Sequence, residues 1–470
     1  LASAKGYQLR WWRYGRETDR LVSEILERDQ WTARQWREWL DDRLTRLLHR
    51  AATQVPYYRD HWSRRRRAGD RASWEVLENW PILEKTLVRE HPTAFLADSA
   101  RGRRLYHEHT SGTTGSPLSV YCSRDMLLHW YSLNEARAKA WYGVSRFDRW
   151  AILGGKQVVA TSARRPPFWV WNAGLNQLYL SAHHLAPDLV PHYIEALRRY
   201  RIRWLYGYSS MLTTLAEGVL QAGCQDLQMT VAVTNAEPLY PSQRRLISEA
   251  FRCPVRETYG MSEYVAAASE CEQGQRHLWP SVGQIEIGTV TPDGFLAHPA
   301  GESGEMVCTG LLNFEMPLIR YRVGDHGTLS TESERCPCGR SLPRLTSIDG
   351  RHCDLIHTPD GREIGIVDTL VFKQGLPVQE AQLVQTAMDR VVVRFVRRKG
   401  FRPSHRAALI RAVESHLAGI RVELEEVDRI PRTANGKFRG VLSQLSASEI
   451  EAARRSYASA PACQAGSMTR

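Results

Sequence analysis

The chain has 470 residues, 43% of them hydrophobic, with 63 Lys and Arg against 51 Asp and Glu and a formal charge of +12. That length exceeds what one hydrophobic core usually holds, so two domains are expected. No run approaches the roughly 18 apolar residues that cross a bilayer, no basic segment followed by an apolar one opens the chain, and nine scattered cysteines are not a dense disulfide framework; the expectation is a cytoplasmic protein without a membrane span, its Leu1 consistent with a trimmed start.

From Thr18 to Leu48, apolar residues such as Leu21, Ile25, Trp36, Leu40, Leu44 and Leu47 recur at three- and four-residue spacing, which predicts amphipathic helices. Pro56 removes a donor and pushes Val55 out of the helical region, so the pattern breaks at Val55-Pro-Tyr-Tyr58, with a further helix expected near Ser73 to Asn79. The run Arg64 to Arg67 reads as a solvated face, because arginines are spread along the whole chain; nucleic acid is not the expected partner. Arg104 to His109 reads as a strand that delivers the loop Thr110-Ser-Gly-Thr-Thr-Gly-Ser-Pro117 at its carboxyl end. In that loop Gly112 and Gly115 let the backbone approach an anion, and Thr110, Ser111, Thr113, Thr114 and Ser116 supply hydroxyls beside backbone N–H groups. A phosphate cradle and a polar turn are both open on composition, but the Gly-Lys-Ser/Thr ending of a P-loop is missing.

A helix is expected from Ser123 to Ala140, strands at Trp150 to Leu153 and Val158 to Ala160, then alternating helices (Leu189 to Tyr200, Ser209 to Leu220) and strands (Ile202 to Tyr206, Met229 to Val233). That alternation predicts an α/β domain with a mostly parallel sheet covered by helices, its ligands beyond the carboxyl ends of the strands, where Thr234-Asn-Ala-Glu-Pro238 falls. After Gly283 short alternating segments predict a β-rich subdomain. Near Gly350-Arg351 the texture shifts to a small α+β domain: strand Asp354 to His357, a Thr358-Pro-Asp-Gly361 hairpin turn, strand Arg390 to Val396, helix Ser404 to Leu417 and strand Arg421 to Val427. The expected organisation is a large domain over 1–349, a small mobile one over 350–446 with its hinge near Arg351 to Asp354, and a tail over 447–470 beginning with a short helix.

Five motifs stand in order: the Thr110 to Pro117 loop, Tyr259-Gly-Met-Ser-Glu263, Tyr321-Arg-Val-Gly-Asp325, Gly350-Arg351 and Pro431-Arg-Thr-Ala-Asn-Gly-Lys437. Together they resemble the core motifs of the adenylate-forming superfamily, the acyl- and aryl-CoA synthetases, peptide-synthetase adenylation domains and luciferases. Val55-Pro-Tyr-Tyr58, Trp80-Pro-Ile-Leu-Glu-Lys85, Gly207-Tyr-Ser-Ser210 and Cys336-Pro-Cys-Gly-Arg340 narrow the likeness to the phenylacetate-CoA ligase and CapK-like branch, over about Trp36 to Leu442. The resemblance implies an AMP-forming ligase that attacks the α-phosphate of ATP with a carboxylate, releases pyrophosphate and passes the acyl group to an acceptor such as coenzyme A. It implies that Thr110 and the loop residues Ser111, Gly112, Thr113, Thr114 and Gly115 hold the phosphates, and that Glu263 binds Mg²⁺, a hard cation suited to carboxylate oxygen. Asp325 would take both ribose hydroxyls, Arg351 a second ribose and phosphate contact, and Asn235, Ala236, Glu237, Thr258 and Tyr259 the adenine. Lys437 would bridge the carboxylate and the α-phosphate, a point charge on a flexible stem, and related enzymes rotate the small domain to swing it away for the second step.

Cys336-Pro-Cys338 offers two soft ligands on one turn, and Cys271 with His277 offers two more; a tetrahedral structural Zn²⁺ site and ordinary buried cysteines are the two readings, and similar Cys and His pairs recur in this branch. The pattern departs from the family at Gly350-Arg-His-Cys-Asp354, where Cys353 precedes the acidic residue, and at the Thr358 to Gly361 turn, which replaces a glycine-rich stretch of aryl-CoA ligases. An amine, a hydroxyl or a carrier-protein thiol is therefore an alternative acceptor, and a homodimer an open assembly. An aryl or arylalkyl acid would suit an aromatic pocket from Trp141, Trp169, Trp171, Tyr179, His183, Tyr206 and Tyr208, against the alternative of a tryptophan-rich core. The rival from another class is a nucleotide-sensing module that keeps the fold without the chemistry.

Overall fold

The computed structural model describes residues 2–109, 118–154, 158–160, 163, 165–186, 188–291, 294–331, 335–351, 356–358, 363–364, 376–414, 417, 420–432, 438–446, 448–450 and 452. The chain divides into two compact units, the first running to Ile348 and the second beginning at Asp349.

Four helices open the first unit: α1 (Ala2–Arg13), α2 (Thr18–Arg28), α3 (Ala33–Gln54) and α4 (Pro56–Arg67). Their boundaries follow from side-chain chemistry. Thr32 and Gln35 form a reciprocal capping box that starts α3, and Val55 is extended before Pro56, which fills the first position of α4 where its missing N–H costs nothing. The chain break read at Pro56 is thus a junction between two helices. The helix expected near Ser73 to Asn79 is only a 3₁₀ turn at Leu77–Asn79, and Arg64 to Arg67 end α4. After α5 (Lys85–Glu90), β1 (Tyr106–His109) and β2 (Ser119–Cys122) form an antiparallel pair on either side of 110–117, and Ser123 caps α6 (Arg124–Arg137) by accepting from the Met126 amide at 3.2 Å.

The body of the unit is built on β3 (Trp150–Gly154), β4 (Trp169–Asn172), β5 (Gln177–Ser181), α7 (Val190–Arg199), β6 (Trp204–Gly207), α8 (Ser209–Gln221), β7 (Val231–Asn235), α9 (Pro241–Phe251) and β8 (Val255–Gly260). Next come β9 (Ala267–Glu270), β10 (Arg276–Leu278), β11 (Gly283–Thr291), β12 (Gly294–Ala297), β13 (Ser303–Gly310), β14 (Tyr321–Leu329) and β15 (Arg344–Arg351). All strands from β3 to β15 belong to one sheet, ordered β12-β11-β13-β14-β15-β10-β9-β8-β7-β6-β3-β5-β4. Its parallel part is β5-β3-β6-β7-β8, as the strand–helix alternation requires, while β4 and the strands from β9 onward pair antiparallel. The α/β architecture stands, with a sheet more mixed than parallel. Val158 to Ala160 is not a strand, and β4 and β5 supply two further strands from Trp169 to Ser181.

Two apolar cores flank this sheet. One gathers α3, α4 and the 264–323 strands around Leu47, Tyr58, Trp80 and Tyr321, and the other packs α7, α8 and α9 on the parallel strands through Leu178, Tyr193, Leu205 and Phe251. A fully buried ion pair ties α2 to α6: Arg137 Nη2 lies 2.7 Å from Asp29 Oδ1, and Trp141 Nε1 donates to Asp29 Oδ2 at 2.9 Å.

In the second unit β16 (Ile356–His357) pairs antiparallel with β17 (Glu363–Ile364), the hairpin expected around Thr358-Pro-Asp-Gly361, whose turn itself lies outside the described residues. A four-stranded sheet, β20 (Arg421–Glu426), β19 (Arg390–Arg397), β18 (Val378–Ala387) and β21 (Val441–Ser443), carries α10 (Pro403–Glu414) on a core of Leu383, Val393, Phe395 and Leu409. Residues 448–450 are helical, and the expected hinge at 352–354 lies outside the described residues. Among the described residues no helix is long and apolar enough to cross a membrane.

Candidate active site

The parallel strands β7 and β8 end side by side, with Asn235 opposite Thr258 in register, so two of the expected adenine contacts come from adjacent strand ends. Thr258 Oγ1 donates to the Thr234 carbonyl at 2.9 Å. Asn235 Oδ1 is buried with no partner among the described residues, and Ala236 sits at φ +63, which turns the chain sharply at the strand end. The Glu237 carboxylate accepts from the Ser210 amide at 3.0 Å and from Ser209 Oγ at 3.3 Å, so it closes the N-terminus of α8 and joins this segment to Gly207-Tyr-Ser-Ser210. Gly207 is required at the top of β6: a Cβ there would lie 2.3 Å from the Leu153 carbonyl oxygen.

The decisive contact is the 2.7 Å hydrogen bond from the Tyr259 hydroxyl to Asp325 Oδ2. β8 and β14 stand four strand spacings apart, about 19 Å in a flat sheet at about 4.8 Å per strand. A direct bond between them therefore shows that the sheet curls back on itself, bringing two motifs 66 residues apart into one cleft. Glu263 follows β8 in a turn, is 6% exposed, and its Oε1 accepts from Lys85 Nζ at 2.8 Å and from the Tyr321 hydroxyl at 3.1 Å. Lys85 reaches it because Leu83 bridges to Tyr321 and exchanges backbone bonds with Arg320 and Arg322, adding the Trp80 to Lys85 segment to β14. Lys85 and Tyr321 were not singled out from sequence as chemical residues. Their motifs were, and the signal of their role is spatial.

The loop Thr110, Ser111, Gly112, Thr113, Thr114, Gly115 and the catalytic candidate Lys437 lie outside the described residues. Arg351 ends β15, with its side chain likewise outside them.

The described side chains of the expected aromatic pocket do not converge. Trp141 packs edge-on to His277 under Arg340. Trp169 and Trp171 pair with Leu180 and Leu178, while Tyr179 and Tyr206 share a row with Ile152, and successive strand residues point to opposite faces. Trp171 accordingly stacks on Tyr200 at 5.0 Å, on the other side of the sheet from Tyr206. Tyr206 is hydrogen-bonded to Thr258, and burial pushes its phenol up to about 12. Tyr208 precedes α8, and the His183 side chain lies outside the described residues.

Cys271, His277, Cys336 and Cys338 bring their ligand atoms within 4.8 Å of one another. Cys271 and Cys336 open matching turns. Each donates its amide four residues on, to Gln275 and Arg340 carbonyls at 2.8 and 3.0 Å, and each carbonyl accepts from a glycine amide, Gly274 at 3.0 Å and Gly339 at 2.7 Å. Both glycines have positive φ, +76 and +86. The sulfurs of Cys271 and Cys336 are 4.0 Å apart, and Cys338 Sγ is 3.4 Å from His277 Nε2. An ion at about 2.3 Å from sulfur and about 2.0 Å from nitrogen needs ligand separations of about 3.5–3.8 Å, so the donor set fits tetrahedral Zn²⁺. His277 Nδ1 donates to the Leu342 carbonyl at 3.3 Å, which leaves the Nε2 lone pair facing the cluster. Burial pushes the Cys271 thiol up to about 12 and His277 down to about 4, and it raises Cys336 as well. The described cysteines are all free.

A model of the AMP-binding enzyme family matches residues 63–316, and a model of the CapK C-terminal domain matches 356–444. The protein CapK of Staphylococcus aureus is 24% identical over 394 residues, covering 80% of this chain and 82% of that protein. A phenylacetate-coenzyme A ligase of Thermus thermophilus is 28% identical over 362 residues, covering 71% and 73%. The crystal structure of 2-hydroxyisobutyryl-CoA ligase in the postadenylation state shares the fold, with a TM-score of 0.68 at 21% identity over 92% of this chain and 94% of that one.

Proposed function

Because the chain belongs to the AMP-binding enzyme family and is an AMP-forming ligase, we propose that it joins a carboxylic acid to AMP at the cleft between β7, β8 and β14 and then passes the acyl group to coenzyme A. The observation that carries this reading is the Tyr259–Asp325 bond, which brings the Tyr-Gly-Met-Ser-Glu and Tyr-Arg-Val-Gly-Asp motifs to one place. Tyr259 holds one carboxylate oxygen of Asp325 and orients the group, so that the carboxylate accepts from the ribose hydroxyls of ATP. Asn235, with its unpartnered buried oxygen, accepts from the adenine amino group.

Glu263, buried between Lys85 and Tyr321, is the residue that would hold Mg²⁺. When bound, that ion neutralises charge on the phosphate oxygens as pyrophosphate leaves. The Thr110 to Pro117 loop holds the β- and γ-phosphates, Arg351 a ribose or phosphate oxygen, and Lys437 the carboxylate against the α-phosphate; the support for these three is their motif context. Attack of the carboxylate oxygen forms the acyl–phosphate bond and breaks the α–β bridge, with the charge leaving on pyrophosphate. Cys271, His277, Cys336 and Cys338 would hold a structural Zn²⁺, which would tie the strands after Glu263 to the loop before β15. Free cysteines throughout the described residues suit a reducing cytoplasmic setting. Tyr206, bonded to Thr258, supplies an aromatic wall beside the adenine segment and favours an aryl or arylalkyl acid.

The test is acid-dependent, Mg²⁺-dependent exchange of labelled pyrophosphate into ATP, screened over aryl, alkyl and amino acids. Exchange with one class is expected. Silence over all three, with ATP still bound, would replace the enzyme by a nucleotide sensor, and acceptors other than coenzyme A would be read by trapping the adenylate with amines or carrier protein.

A further inference from the structure

Trp141, grouped in sequence with the aromatic residues of an acid pocket, lies instead against the cysteine cluster. Its indole Nε1 is fixed by the bond to Asp29, its ring meets His277 edge-on at 6.0 Å, and the Arg340 guanidinium lies over it, 4.1 Å from the centroid. Arg340 also reaches the other ligand turn. Its Nη1 donates to Glu272 Oε2 at 2.9 Å, so the residue two positions after Cys338 is tied to the residue next to Cys271. The Arg340 side chain is 13% exposed, and its Nε is buried with no hydrogen-bond partner among the described residues. Burial opposes the guanidinium charge, but Cys338 and Glu272 outweigh it and hold the pKa above the ordinary arginine value. The three sulfurs follow one spacing. The Gln273 amide donates to Cys271 Sγ at 3.4 Å, and the Cys338 amide acts in the same way on Cys336. Each donor stands two residues after its cysteine, and for Cys338 that position is Arg340, whose donor is a charged side chain.

We propose that Arg340 is a positioning residue for the zinc ion, one step outside its four ligands: it donates to the Cys338 thiolate and supplies positive charge that a buried three-thiolate centre needs. The inference rests on the zinc reading given above. Three thiolates and a neutral imidazole leave one negative charge in excess on a Zn²⁺ centre. Cys271, Cys336 and His277 are all buried, so that charge is costly unless a cation stands beside it. A charge-assisted N–H···S bond meets two needs at once, because it satisfies a buried donor and spreads the charge of the sulfur. Glu272 and the face of Trp141 hold the guanidinium for this task, the first through an ion pair and the second through the attraction of an indole face for a cation. The same bond guards the weakest point of the cluster. Cys338 is the most exposed of the four ligands, and a sulfur that shares its charge with a guanidinium is a poorer nucleophile.

The experiment compares the full-length wild type with Arg340→Met, Arg340→Gln and Arg340→Lys. Zinc affinity is measured by competition with a chromophoric chelator, and the zinc-loaded proteins are treated with iodoacetamide and the alkylated cysteines mapped by mass spectrometry. Arg340→Met is expected to weaken zinc binding about tenfold to a hundredfold, the usual cost of losing a residue that supports a metal ligand, and to speed alkylation of Cys338 more than that of Cys271. Arg340→Gln keeps a polar side chain without the charge, so it should lose most of the same affinity, and it carries the test should the methionine variant fail to fold. Arg340→Lys keeps the charge without the planar fork and should recover part of the affinity. A role confined to packing would instead lower the melting temperature of the metal-free chain and leave both affinity and the alkylation pattern as in wild type, which overturns the proposal. One equivalent of zinc bound equally tightly by wild type and Arg340→Gln would overturn the role of Arg340 alone and leave the site standing. Less than one equivalent in the wild type would overturn the zinc reading and this inference with it.

Discussion

Zinc loading of the Cys271, His277, Cys336, Cys338 cluster should depend on pH with a slope set by the protons that the ion must displace. In the metal-free chain burial holds the Cys271 thiol up at about 12 and raises Cys336, so these sulfurs enter the reaction as thiols, and thiolate is the form that binds metal. His277 contributes no proton, because burial holds it down near 4 and its Nε2 is already free to bind. Cys271 and Cys336 each lose one proton, so apparent zinc affinity should rise at least about a hundredfold per pH unit near neutrality, about 2.7 kcal/mol at about 1.36 kcal/mol per proton and unit. The sign follows directly: raising pH removes the competing protons and strengthens binding. Competition against a chromophoric chelator at constant ionic strength between about pH 6 and pH 7.5, with proton release followed in weakly buffered solution, measures both quantities. Cys336→Ser should reduce the slope by one. A slope near zero, or less than one equivalent of zinc in protein prepared without chelator, would refute the site and return the cysteines to the core.

Three further outcomes are expected. Tyr259→Phe, which removes the donor 2.7 Å from Asp325, should raise the KM for ATP about tenfold, about 1.5 kcal/mol, with the melting temperature unchanged; an unaltered KM would detach Asp325 from the nucleotide. Lys85→Met should lower the Mg²⁺ concentration that half-saturates exchange about fivefold, about 1 kcal/mol, because Lys85 and the ion compete for Glu263; a higher requirement would mean that Lys85 serves the phosphates instead. Asp29→Ala leaves Arg137 charged, buried and unpaired and should cost about 3–5 kcal/mol in thermal or denaturant unfolding, and a loss under about 1 kcal/mol would show that the site relaxes around it.

The parts of this molecule that could be read from sequence are those where chemistry is local. Pro56, Ser123 and the Ser209 to Leu220 periodicity announce their helices within a few residues, and the Cys336-Pro-Cys-Gly turn announces a knuckle because its glycine must take positive φ. Helix α1 was not anticipated: its exposed Tyr7 and Trp11 blur the apolar stripe that marks other helices. β4 and β5 are hard to read in the sequence because Trp169, Trp171 and Tyr179 look like one aromatic group, whereas the strands send the two tryptophans to one face and Tyr179 to the other. The role of Lys85 was illegible for a different reason. It depends on a bridge between Leu83 and Tyr321, 238 positions apart, and on a curl in the sheet that no local pattern encodes.

The thirteen-stranded sheet also has two free ends, and they are finished differently. Beside β4, α1 lies so close that a side chain at Gly174 would meet the Tyr7 amide at 2.4 Å, and Ser3 Oγ accepts from the Ala173 amide. At the other end β12 is four residues long and shows Leu296, 64% exposed. Any strand-to-strand association between copies, whether in storage at high concentration or in crystal growth, should therefore start at β12 rather than β4. A lysine in place of Leu296 is the simplest change for keeping concentrated preparations monodisperse, and a tag joined ahead of α1 must leave Ser3 and Gly6 free to seat.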